Sequence, residues 1–159
     1  MSNEKLFSGL FYGVMATPLG TLQVMANDDA VLEVAFIADE DVKPTHTNSI
    51  VTEALKQLDE YFNKKRKVFD LPLGAKSTEF RQQVWAELCQ VPFGHTASYS
   101  DIATAIGRDK AVRAVGAANG ANPIAIVVPC HRVIGKNGTL TGYAGGLNRK
   151  QWLLDFEAS

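Results

Sequence analysis

Cys130 stands in the run Pro129-Cys130-His131-Arg132-Val133, a thiol followed directly by an imidazole and a guanidinium. A thiol must lose its proton before it attacks carbon, and nearby His or Arg lowers its pKa. The run follows Ile124-Ala125-Ile126-Val127-Val128, a continuous apolar stretch that predicts a buried strand. A nucleophile at the end of such a strand sits on a rigid support at a surface edge. Neighbouring side chains in extended chain point to opposite sides, so contact between Cys130 and His131 requires a turn or a bridging water. An inert core cysteine is the alternative. The flanking Pro, His and Arg and a glycine-rich segment downstream favour the reactive one. Metal ligation would need further ligands, and Cys89, His46 and His95 form no recognised zinc spacing with this pair.

The elements that must hold this cluster are legible on both sides of it. Thr78 to Gln90 predicts a helix with Phe80, Val84, Trp85 and Leu88 on one face, ended by Val91-Pro92-Phe93-Gly94. Ser98 predicts the N-cap of a helix from Tyr99 to Ile106, with Asp101 at the third position and Gly107 just past its end. A third helix is expected from Lys110 to about Asn119, with Val112 and Val115 facing inward, stopped by Asn122-Pro123. Two short helices joined in this way resemble a helix-turn-helix. The second, Ala111 to Ala118, offers one Arg amid Ala and Gly. It therefore reads little sequence and suits a shallow minor groove with a single anchoring Arg113. An ordinary buried Ala-rich helix is the other reading. Downstream, Lys136-Asn137-Gly138-Thr139 predicts a hairpin turn. The glycines of Thr141-Gly142-Tyr143-Ala144-Gly145-Gly146-Leu147 are either loop punctuation or places where backbone approaches a ligand. The GxxxxGK[ST] phosphate loop is absent. Asn148 is placed to cap a last helix, Arg149 to Glu157, anchored by Trp152, Leu153 and Phe156. Glu157 falls at its C-terminal end, where a carboxylate opposes the helix dipole. That placement calls for a partner such as His131 or Arg132; fraying into solvent is the alternative.

The first half has a different texture. Leu10–Met15, Thr21–Met25 and Val31–Ile37 read as strands separated by Thr17-Pro18-Leu19-Gly20 and Asn27-Asp28-Asp29 turns. Residues 38–48 read as a loop. Val51, Leu55, Leu58 and Phe62 predict a helix over about 50–64. Lys64-Lys65-Arg66-Lys67 reads either as a solvated helix C-terminus complementing the dipole or as a phosphate patch. Phe69–Leu73 is a candidate last strand, and a boundary is expected at 74–77. Residues 1–75 carry seven Lys/Arg against eleven Asp/Glu, and residues 76–159 carry nine against six. A negative half followed by a positive half fits a second half that meets an anion, or chance. With 46% hydrophobic and 21% charged residues in 159, the chain is globular, not extended disorder. No apolar run approaches membrane-spanning length. Met1-Ser2-Asn3-Glu4-Lys5-Leu6 lacks the pattern of a signal peptide, so the expected setting is a reducing cytoplasm with free thiols, away from membranes.

Taken together, Pro129-Cys130-His131-Arg132-Val133 after Asn122-Pro123, with Ser98-Tyr99, Arg113-Ala114-Val115-Gly116, Gly142 to Leu147, Trp152-Leu153-Leu154 and Glu157, resemble the O6-alkylguanine-DNA alkyltransferases. The likeness is specific over roughly residues 77–157 and weaker over 1–75. It implies an α/β (α+β) chain with a ribonuclease-H-like domain over 1–75. A helical, winged-helix-like DNA-binding and catalytic domain would follow over 76–159. It implies direct-reversal DNA repair in one turnover. Cys130 would accept the alkyl group of O6-alkylguanine, and of O4-alkylthymine, as a thioether. His131 would act through water as base, oriented by Glu157. Tyr99 would crowd the 3′ phosphate to rotate the nucleotide out and donate to purine N3. Arg113 would fill the vacated stack, with Ala114 and Gly116 in the same groove-facing helix. Asn122 would brace the turn before the active-site segment. The carbonyls of Cys130 and Val133 would accept from the guanine amino group, the Ala144 amide would donate to O6, and Tyr143 would wall the pocket. The partner is double-stranded DNA, met by a monomer, with cooperative loading left open.

Departures from the family pattern carry expectations of their own. Some members hold a structural zinc in the first domain, but residues 1–75 contain no Cys and one His, so neither metal nor other cofactor is expected. Ala125 and Ala144 stand where some members have Pro and Ser, which predicts a roomier pocket. The chain ends two residues after Glu157, so no C-terminal tail is expected. The competing readings are a non-catalytic alkyl-lesion binder, a helix-turn-helix regulator and a cysteine hydrolase. Cys130 opposes the first and the Ala/Gly-rich second helix the second. Stoichiometric arrest would exclude the third.

Overall fold

The computed structural model describes residues 9–159, so the Met1–Leu6 stretch lies outside the described residues. The chain divides into two compact units between Ala75 and Lys76.

In the first unit, β1 (Phe11–Thr17), β2 (Gly20–Ala26) and β3 (Val31–Phe36) form an antiparallel sheet in the order β1-β2-β3. The β1–β2 connection is tight: Thr17 pairs with Gly20, and the Thr17 hydroxyl donates to the Gly20 carbonyl at 2.7 Å. Gly20 turns with φ +119°, a conformation open to glycine at little cost. Helix α1 (Ser49–Phe62) is capped by Asn48, whose side chain accepts from the Val51 amide. Its buried residues Val51, Ala54, Leu58 and Tyr61 cover Leu22, Val24, Val31 and Val34 of the sheet. A Cβ on Gly13 would come within 2.8 Å of Val51 Cγ1, so β1 and α1 meet this closely only because that side chain is missing. After the helix, Lys64 turns with φ +61° and Arg66 pairs with Glu60 at 2.8 Å. The basic run follows the end of this helix, whose last turn carries no basic residue. Phe69–Leu73 does not form a strand. One parallel bridge joins Leu73 to Val31, and Pro72, with no N–H, contributes only its carbonyl.

The second unit is built on α2 (Glu79–Leu88), α3 (Tyr99–Ala105) and α4 (Val112–Gly120). Thr78 caps α2. Ser98 and Asp101 close a reciprocal capping box on α3, and Gly107 ends the turn after it at φ +75°. Trp85 from α2 donates its indole N–H to the Ala118 carbonyl of α4 at 2.8 Å. Val115 is buried, but Val112, the first residue of α4, is 37% exposed. Ala97–Ser98 (β4) pairs in parallel with Val133–Ile134 (β5), which ties the start of α3 to the chain just after Cys130.

Three further expectations are corrected. Ile124–Val128 is buried, yet it is not a strand. The Val127 amide donates to Ala125 at 2.8 Å across Ile126 at φ +70°, and the Cys130 amide donates to Val128 at 2.8 Å across Pro129. The segment is thus two successive γ-turns. An apolar run records burial and not backbone conformation, and here the Ile124, Val127 and Val128 amides find their acceptors locally. The Lys136–Thr139 turn forms, with the Gly138 amide donating to the Gly135 carbonyl and the Gly135 amide to the Thr139 carbonyl, both at 2.8 Å, but the pairing does not extend into a second strand beyond it. The last helix, α5 (Leu147–Ala158), begins at Gly146 with φ +94° and no side-chain cap, so Asn148 lies inside the first turn. Among the described residues no helix is long and apolar enough to cross a membrane.

Candidate active site around Cys130

Cys130 opens a 3-10 turn, Cys130–Arg132, and is only 5% exposed. Asn122 shapes the approach to it. Its amide donates to the Val128 carbonyl at 2.8 Å, and its carbonyl accepts from the Ile124 amide at 3.0 Å. The strained backbone at Ile126 persists because both ends of the segment are pinned to one side chain. Burial pushes the Cys130 thiol up, while the Asn122 amide and the Lys150 charge pull it down. The balance leaves a protonated thiol that needs a base.

The next residue in the chain supplies an imidazole. His131 is fully buried and its Nε2 lies 2.7 Å from Glu157 Oε2. Arg132 holds the same carboxylate through Nε at 2.8 Å and Nη2 at 3.0 Å, and donates Nη1 to the Val91 carbonyl at 2.8 Å. The carboxylate at the helix terminus is therefore matched by a bidentate guanidinium rather than by solvent. With Nε2–H donated to Glu157, Nδ1 is the lone-pair nitrogen, and it has no protein partner among the described residues. Burial lowers the His131 pKa most, Arg132 and Lys150 lower it further, and Glu157 opposes them. The imidazole is neutral at neutral pH. Its protonation is harder folded than unfolded, so below histidine's ordinary pKa of about 6.5 the unfolded chain binds more protons. Stability is full above that value and is lost on acidification towards the folded pKa. Urea midpoints measured at stepped pH should fall in that direction, and a midpoint rising as pH drops from neutrality would contradict it.

The segment after β5 closes the other side. Tyr143 is buried with no partner for its hydroxyl among the described residues, and its pKa is driven up by burial and the nearby Cys130 charge. The Tyr99 hydroxyl donates to the Thr141 carbonyl at 3.2 Å and accepts from Thr141 Oγ1 at 3.0 Å. Val133 is buried in β5. Ala144 is exposed on the glycine-rich turn. Arg113 and Ala114 lie on the exposed side of α4, apart from the buried cluster. Gly116 faces the Tyr99 ring at 3.9 Å from where a Cβ would stand. The buried cluster thus unites Cys130, His131, Glu157, Asn122 and Tyr143, while Arg113 and Ala114 remain on the surface.

Two polar residues escaped the sequence reading. Asn119, 1% exposed, reaches the Cys130 carbonyl at 3.4 Å. Lys150 is fully buried, and its ammonium donates to the Thr141 carbonyl at 2.8 Å. The buried residues of α5 are Lys150, Leu153 and Glu157. Their i, i+3, i+7 spacing was the available signal, masked by Trp152 and Phe156, which stack on each other at 4.9 Å in partly exposed positions. Among the described residues no group of His, Cys, Asp and Glu is arranged to hold a metal.

Comparison with known proteins brings the two units under one heading. The ribonuclease-like domain of 6-O-methylguanine DNA methyltransferase matches residues 10–75, and the DNA-binding domain of the same family matches residues 79–159. The constitutive methylated-DNA–protein-cysteine methyltransferase of Bacillus subtilis is 46% identical over 157 residues, covering 92% of this chain and 94% of its own length. The crystal structure of Mycobacterium tuberculosis O6-methylguanine methyltransferase superposes with a TM-score of 0.84 at 41% identity, over 94% of this chain and 93% of that one. The M. tuberculosis OGT in complex with DNA gives a TM-score of 0.84 at 42% identity, over 92% of each chain.

Proposed function

Because the chain belongs to the 6-O-methylguanine DNA methyltransferase family, we propose that its Cys130 is the acceptor in direct reversal of alkylation damage, taking the alkyl group from guanine O6 in one irreversible transfer. His131 takes the thiol proton through a bridging water. The thiolate attacks the alkyl carbon in line with the C–O6 bond. The S–C bond forms as the C–O6 bond breaks, the electron pair stays on guanine, and guanine regains a proton to become the unmodified base. Glu157 orients His131 and stabilises its charge. The observation that carries this reading is the 2.7 Å bond from His131 to Glu157, which leaves Nδ1 as acceptor next in sequence to the buried cysteine. A thioether is stable and no second nucleophile is needed, so each molecule acts once.

The atom under attack is hidden inside a duplex, so the nucleotide must be rotated out, at a cost of a few kcal/mol of unstacking. Tyr99 acts at the phosphate and at purine N3, and Arg113 fills the vacated stack from the minor groove, where Ala114 and Gly116 allow close approach. Asn122 braces the turn into the pocket. The Cys130 and Val133 carbonyls accept from the guanine amino group, the Ala144 amide donates to O6, and Tyr143 walls the base. Residues 76–159 form the alkyltransferase domain, and the ribonuclease-like domain ends at residue 75. The protein works in the cytoplasm as a monomer, on double-stranded DNA carrying O6-alkylguanine and, with the same chemistry, O4-alkylthymine. The small side chains at Ala125 and Ala144 widen the pocket for bulkier alkyl groups. The non-catalytic reading is not favoured, since the B. subtilis relative is named as a methyltransferase and Cys130 is present.

Peptide mass spectrometry after mixing with a duplex holding one O6-methylguanine tests the assignment. One methyl group on the Cys130 peptide and arrest at one equivalent are expected; repaired DNA with unmodified protein would overturn it. Arg113→Ala should slow repair in duplex DNA by about tenfold or more, the scale of losing 1–3 kcal/mol of stacking, and spare transfer from free O6-benzylguanine. Equal losses on both substrates would remove the stacking role. Since His131 is held below its ordinary range, single-turnover rates should stay level from neutral pH to about 6.5 and drop only below it. An acid limb centred above that value would contradict a neutral base.

A further inference from the structure

Lys150 is a buried charged group at this site that the transfer described above does not use. A lysine is almost never fully buried without a partner. The ammonium of Lys150 donates to the Thr141 carbonyl at 2.8 Å and lies 5.9 Å from the centre of the Tyr99 ring. Tyr99 donates to the same carbonyl at 3.2 Å. Thr141 is the residue immediately before Gly142–Gly146, the segment that carries Tyr143 and Ala144. Its carbonyl is thus held at once from α3 and from α5. Gly142 and Gly146 have φ of +43° and +94°, so the segment itself offers little stiffness and depends on its anchors. No salt bridge to a carboxylate joins Lys150 among the described residues. The groups it touches are the Thr141 carbonyl and the ring of Tyr99, its helix packs against the Cys130–Arg132 turn, and its charge acts on Cys130 and His131 there. Tyr143, near Cys130, stays neutral.

We propose that Lys150 is a positioning residue of the alkyl transfer, anchoring Gly142–Gly146 through the Thr141 carbonyl and presenting its ammonium as counter-charge to the Cys130 thiolate. The proposal rests on the assignment of Cys130 as acceptor. A buried ammonium with no anion is destabilised by its desolvation and is relieved when the sulfur ionises. The same charge lowers the Cys130 pKa and adds to the depression of His131. Removing it therefore makes the thiol harder to ionise and the base easier to protonate, and both changes move the acid limb of the reaction to higher pH.

The test is the single-turnover transfer rate of Lys150→Met as a function of pH, beside its affinity for undamaged duplex. The expected result is a loss of about tenfold on the acid limb, below about pH 6.5, the size of a one-unit pKa change, closing as pH rises through neutrality, with affinity unchanged. Lys150→Arg, which keeps the charge, should return the limb towards the wild-type position. A loss by the same factor at every pH, no loss at all, or an Arg variant displaced as far as Met would overturn the proposal. If circular dichroism shows the Met variant unfolded, Lys150→Gln, neutral but polar, is expected to show the same displacement and is judged by the same outcomes. Peptide mapping of the wild-type protein separates the underlying assignment. A methyl group found elsewhere than on Cys130 overturns that reading whatever the Lys150 variants do.

Discussion

Cys130→Ala should transfer no alkyl group at any protein concentration, while still binding alkylated duplex within a few-fold of wild type. The substitution removes the nucleophile and leaves its supports in place. Asn122 bonds the backbone around the γ-turns, not only the sulfur, and His131 keeps Glu157. Cys89 does not substitute. It sits at the C-cap of α2, and desolvation of its sulfur holds the thiol above its ordinary pKa. The measurement pairs a gel-shift titration on O6-methylguanine duplex with mass spectrometry of the protein. Residual methylation, on Cys89 or elsewhere, would show that Cys130 is not the acceptor. Loss of binding together with transfer would show that the residue is structural. The retained binding should weaken as salt is added, because phosphate contacts release counterions.

The second large effect is expected at Glu157. Glu157→Ala strips the carboxylate from two buried partners at once, His131 and Arg132, and leaves the Arg132 guanidinium inside the protein with its bond to the Val91 carbonyl but without its anion. Breaking a buried pair by removing one partner costs about 3–5 kcal/mol, a large part of a domain's total stability. The urea midpoint should fall accordingly, and His131 should lose its orientation. Glu157→Gln separates the two consequences. It keeps the volume and one acceptor, so much of the stability returns, but the negative charge that supports a protonated His131 is gone. Transfer should then remain down by roughly 10²–10⁴-fold, the usual worth of a positioned general base. Equilibrium unfolding and single-turnover rates on both variants check this. A Gln variant with wild-type rate would take Glu157 out of the chemistry and leave it a structural role. An Ala variant with wild-type stability would mean that solvent replaces the carboxylate.

Much of the local structure was legible because its causes are local. Ser98 and Asp101 sit three residues apart and close the capping box on α3. Val51 and Leu58 recur at helical spacing and are buried in α1 with Ala54, Gln57 and Tyr61, whereas Leu55 and Phe62 are half-buried. Local rules failed where a neighbour far along the chain decides the outcome. The run Ile124–Val128 is largely buried as its composition requires, but with Asn122 bonding both ends it folds into turns. Asn148 has the chemistry of a cap, yet the chain enters α5 through Gly146 at positive φ, so the helix starts without it.

The sequence by itself determined which atoms can react: a thiol followed by an imidazole, and a carboxylate at a helix end that needed a cation. It did not determine their protonation. That was decided by the tertiary structure, which brings Glu157 to His131 and Arg132 across more than twenty residues and buries the assembly. Charges interact strongly only where water is excluded. The same burial holds the Cys130 thiol above and the imidazole below its ordinary pKa, and makes of Lys150, an ordinary residue in the sequence, a buried cation whose charge acts on both.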